Sequence, residues 1–124
     1  MNTDLSELAK RAIACPKWRW TDGMKAVGRK GQILAWFRLE ESQKQLMGDW
    51  SEALPDLSDF ATVGCLLMLV RDAHNAPHAW VEARYGQKFR VVSPEGYSEA
   101  TRMLCEWQVG TEAAALVAAL EAAP

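Results

Sequence analysis

Between residues 58 and 74 the chain leaves almost no face for water. Phe60, Val63, Gly64, Leu67 and Val70 recur at helical spacing, and Leu66, Met68 and Leu69 widen that stripe until little of the circumference is polar. A helix of this kind is stable only when other elements cover it. The spacing therefore predicts a central, buried helix, capped by Asp56 or Ser58 and ending near His74 and Asn75, before Pro77. The rest of the chain must supply the cover, and 124 residues suffice for one core and not two. A single globular domain over residues 1–124 is the expectation.

Two further helices fit that task. Asp4 followed by Glu7 has the form of a capping box, and Leu5, Leu8, Ala9, Ala12 and Ile13 share one face, with Lys10 and Arg11 outside it. Pro16 stops this helix after Cys15. At the other end, Gly110, Thr111 and Glu112 open a helix in which Ala113, Leu116, Val117 and Leu120 share a face, and its many alanines permit close packing.

The strand signals come in pairs. Residues 24–27 and 32–39 read as strands joined across Gly28-Arg29-Lys30-Gly31, a register that puts Met24, Ala26, Ile33, Ala35 and Phe37 on one face. Residues 41–55 have no periodicity and read as an exposed connection anchored by Leu46, Met47 and Trp50. Residues 79–85 and 89–93 flank Gly86-Gln87-Lys88 as a hairpin. Pairing Tyr85 with Phe89 and Ala83 with Val91 gives an apolar face of Val81, Ala83, Tyr85, Phe89 and Val91. The opposite face carries Trp80, Glu82, Arg84, Arg90 and Val92. After a turn at Pro94-Glu95-Gly96, residues 98–109 fit a helix through Met103 and Trp107, or a strand by alternation. The strand is preferred because a new helix begins directly afterwards. The resulting order, α-β-β-α-β-β-β-α, points to the α+β class: an antiparallel sheet of about four or five strands from hairpins, covered by about three helices.

Sixteen acidic against fourteen basic side chains leave a net charge of −2, which disfavours nucleic acid as a partner for the whole molecule. The balance is uneven, since Lys10, Arg11, Lys17, Arg19, Lys25, Arg29 and Lys30 face Asp22 alone within residues 10–30. Such a segment is either a binding face or is neutralised when acidic parts of the chain fold against it, and neutralisation is the plainer expectation. Cys15, Cys65 and Cys105 form no CxxC pair and suit a reducing cytoplasm. The first residues lack the basic start and apolar run of a signal peptide, and the longest apolar run, residues 65–70, is too short to span a membrane. A soluble cytoplasmic protein with no membrane partner is expected.

Catalytic signatures are absent. His74 and His78 have the spacing of paired helical metal ligands, but Pro77 lies between them and the general-base glutamate of HExxH is missing, so they read as loop histidines. Cys65 lies in an apolar helix and Cys105 beside Glu106, and neither setting favours a thiolate. GxSxG, P-loop and GxGxxG patterns do not occur. Gly28-Arg29-Lys30-Gly31 has the form of a KH-type GXXG loop, yet the turn at Thr21-Asp22-Gly23 leaves no room for the helix that must precede it. The chain reads as non-enzymatic, with no cofactor and no metal.

Tryptophan is the abundant aromatic, six of eleven. Trp36 and Trp107 fall in apolar strand segments and read as packing. Trp18 and Trp20 straddle Arg19, Trp50 sits in the long connection and Trp80 lies on the polar hairpin face. With Arg19, Lys25, Arg29 and Lys30 they are the candidate binding residues, because Trp and Arg anchor protein interfaces and stack on bases.

Three segments carry a resemblance: Trp18-Arg19-Trp20 with Gly23-Met24; Pro55-Asp56-Leu57-Ser58-Asp59 leading to Gly64-Cys65-Leu66-Leu67; and Thr111-Glu112-Ala113 leading through Leu116-Val117 to Pro124. Together they resemble short proteins encoded by bacteriophages and prophages. The likeness spans most of the chain, with the middle strands departing in length and content. It implies a setting, the cytoplasm of a bacterial host, and no site residues. In that setting small proteins act by binding host machinery, including defence systems. The expectation is therefore a non-enzymatic accessory protein that binds a bacterial host protein, for example a counter-defence inhibitor of the anti-CRISPR kind. The alternatives are a nucleic-acid-associated or regulatory module using residues 17–30, and a small-molecule binder with a tryptophan-lined pocket.

Overall fold

The computed structural model describes residues 5–21, 23–28, 53–96 and 98–124. In chain order these form α1 (Leu5–Ile13), β1 (Ala26–Gly28), β2 (Ala53–Pro55), α2 (Phe60–His74), β3 (Trp80–Arg84), β4 (Lys88–Val92), a one-turn α3 (Glu99–Arg102), β5 (Gln108–Val109) and α4 (Glu112–Glu121). The class is α+β, as expected. Among the described residues the strands build two antiparallel sheets, β1-β2 and β3-β4-β5, in place of the single sheet expected. Ala53–Pro55 belongs to the segment expected to be an exposed connection; instead all three residues are buried and pair with β1. The strand expected at residues 32–39 lies outside the described residues, as do the anchors Leu46 and Met47.

The helix expected at the centre is only partly enclosed. Asp59, not Asp56 or Ser58, caps α2, its carboxylate accepting from the Thr62 backbone N–H at 3.0 Å and from the Thr62 hydroxyl at 2.7 Å. Thr62 Oγ1 in turn accepts the Lys25 backbone N–H at 2.9 Å. A hydroxyl satisfied as donor and acceptor is buried at little cost. Thr62 is accordingly buried, and the enclosed stripe of α2 runs through Thr62, Leu66, Leu69 and Val70. Phe60 lies about 200° around the helix from Thr62, and it is 94% exposed. Counting apolar residues alone set the face wrongly, because the bonded threonine replaces Phe60 on the buried side.

The enclosed helix is α4, where Ala113 to Val117, Ala119 and Leu120 are all buried. Its alanines let α1, α2 and β4 approach its backbone closely. Thr111 caps it, and Gly110 reaches the required turn at φ 127°. Leu8, Ala9 and Ala12 of α1 join the same core, and Arg11 closes the contact with two bonds to Glu121, at 2.5 and 3.1 Å. His74 Nε2 donates to the Ala119 carbonyl at 2.7 Å, tying α2 to α4. Asn75 in the left-handed conformation ends α2, and Arg71 Nε reaches the Ala79 carbonyl at 2.8 Å, which fixes where β3 begins.

The hairpin follows at once. Ala83 pairs with Phe89 and Val81 with Val91, a slip of two residues from the expected register. A slip of two leaves every side chain on its expected face, since strand side chains alternate. It moves Tyr85 out of the inner face and into the turn, where Gly86 and Gln87 both take positive φ and Tyr85 is 98% exposed. Residues 98–109 are not one strand: α3 comes first, Met103 makes a single bridge to Val92, and only Gln108–Val109 pairs as β5.

Candidate functional site

Opposed residues of antiparallel strands share a face, so the register of β3 and β4 puts Trp80 beside Val92, Glu82 beside Arg90 and Arg84 beside Lys88, all turned away from the core. The chain then returns along the free edge of β4. Ser93 N–H donates to the Arg102 carbonyl at 2.7 Å and Leu104 N–H to the Val91 carbonyl at 2.9 Å, with Met103 bridging Val92 between them. Gly96 permits this return. A side chain there would lie 2.6 Å from the backbone of residues 101 and 102. The close approach also lets Arg102 Nε donate to the Gly96 carbonyl at 2.8 Å.

Arg90 is the most heavily engaged side chain on this face. Its guanidinium meets the Glu82 carboxylate at 3.3 Å, contacts Met103 Sδ at 3.7 Å and lies over the Trp107 ring at 4.5 Å from the centroid. Arg84 lies over the same ring at 4.6 Å. Trp107 is thus held by two cations on the outer face, not packed in an apolar strand as expected.

Between these groups opens a cleft of about 400 Å³, with Trp80 and Pro94 as its walls, Val92 and Ser93 at its floor, and Glu82, Arg90 and Arg102 as its charged groups. Trp80 is 46% exposed, a large aromatic surface open to solvent. The outward side chains of β3 and β4, with Arg102, carry four cations and one carboxylate, in a chain whose net charge is negative. The Ser93 hydroxyl donates to Glu95, which holds that carboxyl below its ordinary range.

The basic segment behaves differently. Lys10 meets Glu7 at 3.2 Å, Arg11 meets Glu121, Arg19 meets Asp72 at 2.9 Å and Lys25 meets Asp56 at 3.8 Å. Trp18 and Trp20 contact each other edge to face, with centroids 5.5 Å apart, and both pack partly buried against the core. Arg29, Lys30, Trp36 and Trp50 lie outside the described residues. Of the candidate binding residues that are described, only Trp80 stands in the cleft.

His74 is engaged by the Ala119 carbonyl and His78 is exposed in the following turn. Among the described residues no three His, Cys, Asp or Glu side chains gather to hold a metal ion. Burial pushes the Cys15 and Cys105 thiols above their ordinary range, which keeps them protonated near neutrality. Among the described residues no helix is long and apolar enough to cross a membrane.

No family model, curated protein or solved structure matches this chain. Sequence reasoning placed Trp80, Glu82, Arg84, Arg90 and Val92 on one face but missed Arg102, Met103 and Trp107. Those three arrive through the bridge at Met103 and the short β5, which local periodicity does not encode. The signal available for Arg102 was the turn at Pro94-Glu95-Gly96, which sends the chain back beside β4.

Proposed function

We propose that this chain is a small non-enzymatic accessory protein of phage or prophage origin that binds a protein of its bacterial host through the outer face of β3 and β4. The observation that carries this reading is the exposed Trp80 standing in a cleft with Arg90 and Arg102, since Trp and Arg dominate the energetics of protein interfaces. The likeness to short phage and prophage proteins supplies the host setting, in the cytoplasm, and a host defence component as the kind of partner such a protein would inhibit. Within the residues 17–30 of the nucleic-acid alternative, Arg19 and Lys25 each meet a carboxylate of the chain itself, which weighs against that reading.

A second reading, a small-molecule binder, has one observation in its favour: the cleft volume of about 400 Å³ falls within the range of ligand pockets. Affinity capture from a nuclease-treated bacterial lysate, run in parallel with wild type and Trp80→Ala as baits, separates the two. A protein retained by wild type and lost from Trp80→Ala supports the lead reading. Recovery of no protein that depends on Trp80, with a rise in melting temperature on adding a metabolite fraction, supports the second and overturns the first.

A further inference from the structure

We propose that the cleft receives an acidic segment of a polypeptide, with one Glu or Asp carboxylate held by the Arg102 guanidinium and a neighbouring apolar side chain laid on Trp80. This rests on the outer face being a protein-binding face and names the chemistry of what it binds.

The two arginines of the cleft are not equivalent. Arg90 is committed to Glu82, Met103 and Trp107. Arg102 makes no ion pair among the described residues. Its backbone is fixed by the bond from Ser93 N–H and by its own N–H to the Ser98 carbonyl at 2.9 Å. Its Nε is fixed by Gly96, which orients the guanidinium, and among the described residues its terminal nitrogens meet no acceptor. Two parallel N–H donors in a fixed plane match a carboxylate in bidentate geometry. The ordering cost of a long side chain has been met in advance by these bonds.

The occupant follows from charge and shape. Glu82 stands in the same cleft and Glu95 close by on Ser93, so a polyphosphate backbone would meet two carboxylates as well as the net negative charge of the chain. Each phosphate of a nucleic acid demands its own cation, and of the two arginines lining the cleft Arg90 is already paired with Glu82. A single carboxylate flanked by an apolar group brings one negative charge toward Glu82 and Glu95, where a polyphosphate brings several. It finds Arg102 on one side and the half-exposed Trp80 ring above Val92 on the other.

The test uses fluorescently labelled short peptides of alternating Glu and Leu, acetylated and amidated at their ends, with anisotropy as the readout at physiological ionic strength. The comparison ligands are the same peptide with Gln for Glu, that Gln peptide with a free C-terminal carboxylate, and a short oligothymidylate. The Glu peptide is expected to bind at least about tenfold more tightly than the amidated Gln peptide. Arg102→Gln should remove that preference, Arg102→Lys should leave part of it, and Trp80→Ala should weaken both peptides alike.

Equal binding of the Glu and amidated Gln peptides overturns the proposal. So does tighter binding of the oligothymidylate. A Gln peptide with a free terminus that matches the Glu peptide also overturns it, because the cleft would then take a chain end and not an internal segment. Trp80-dependent capture of a host protein alongside any of these results overturns this proposal alone, whereas loss of that capture overturns the reading beneath it.

Discussion

Glu82 and Arg90 face each other across β3 and β4, with carboxylate and guanidinium 3.3 Å apart. Only 12% of the Arg90 side chain is exposed, and the same guanidinium covers Trp107. One arginine therefore links β3, β4 and the segment leading into β5. Arg84, although stacked on the same ring, is exposed and sits at the hairpin end.

The two arginines should differ in their effect on stability. Arg90→Ala removes the Glu82 partner, a cation over Trp107 and packed aliphatic surface, and is expected to cost about 1–3 kcal/mol. Arg84→Ala is expected to cost less than about 1 kcal/mol. Urea denaturation of both variants measures this, and an Arg84→Ala loss equal to that of Arg90→Ala contradicts it.

The buried hydroxyl of Thr62 gives a second prediction. Thr62→Val leaves the Lys25 N–H without its acceptor in the core and removes a donor to Asp59, an expected loss of about 1–3 kcal/mol. Thr62→Ser keeps both bonds and should recover most of that loss. The comparison of midpoints between the two variants decides it; equal losses would mean that the methyl group and not the hydrogen bonds matters.

The orientation of α2 is testable on its own. Phe60→Ala removes an exposed ring and should change stability by no more than about 0.5 kcal/mol. Leu69→Ala opens a cavity in the core and should cost about 2–5 kcal/mol. The reverse ranking would restore the face that a count of apolar residues selects.

Much of the fold was legible in the sequence, and what was not has physical causes. The class, helices α1, α2 and α4, and the inner and outer faces of the hairpin follow from periodicity and turn residues. The buried face of α2 did not, because Thr62 is polar by composition and apolar in effect once both its hydrogen bonds are made. Ala53–Pro55 was missed as a strand because three residues are too few for alternation to register. In the site, the face bearing Trp80 and Arg90 was legible. Arg102 and Trp107 were not, since bridges between residues distant in sequence bring them there.

The thiols carry a pH signature. Burial raises Cys15 and Cys105 above the ordinary value of 9.0, so the folded chain holds these protons more tightly than the unfolded one. Their contribution to stability is complete below that value and is lost as pH rises above it through the folded-state pKa. Labelling with a thiol reagent under native conditions should modify Cys65, which is partly exposed, well before the other two. Mass spectrometry of the first modified site checks this, and initial labelling at Cys105 contradicts it.

The central claim is that the outer face of β3 and β4, and not the basic segment, is where a partner binds. The most direct measurement is the Kd of the protein captured from a bacterial lysate for wild type, Trp80→Ala and Arg19→Glu. A loss of at least about tenfold for Trp80→Ala, with less than about twofold for Arg19→Glu, is the predicted result. An unchanged Kd for Trp80→Ala with a large loss for Arg19→Glu would contradict it.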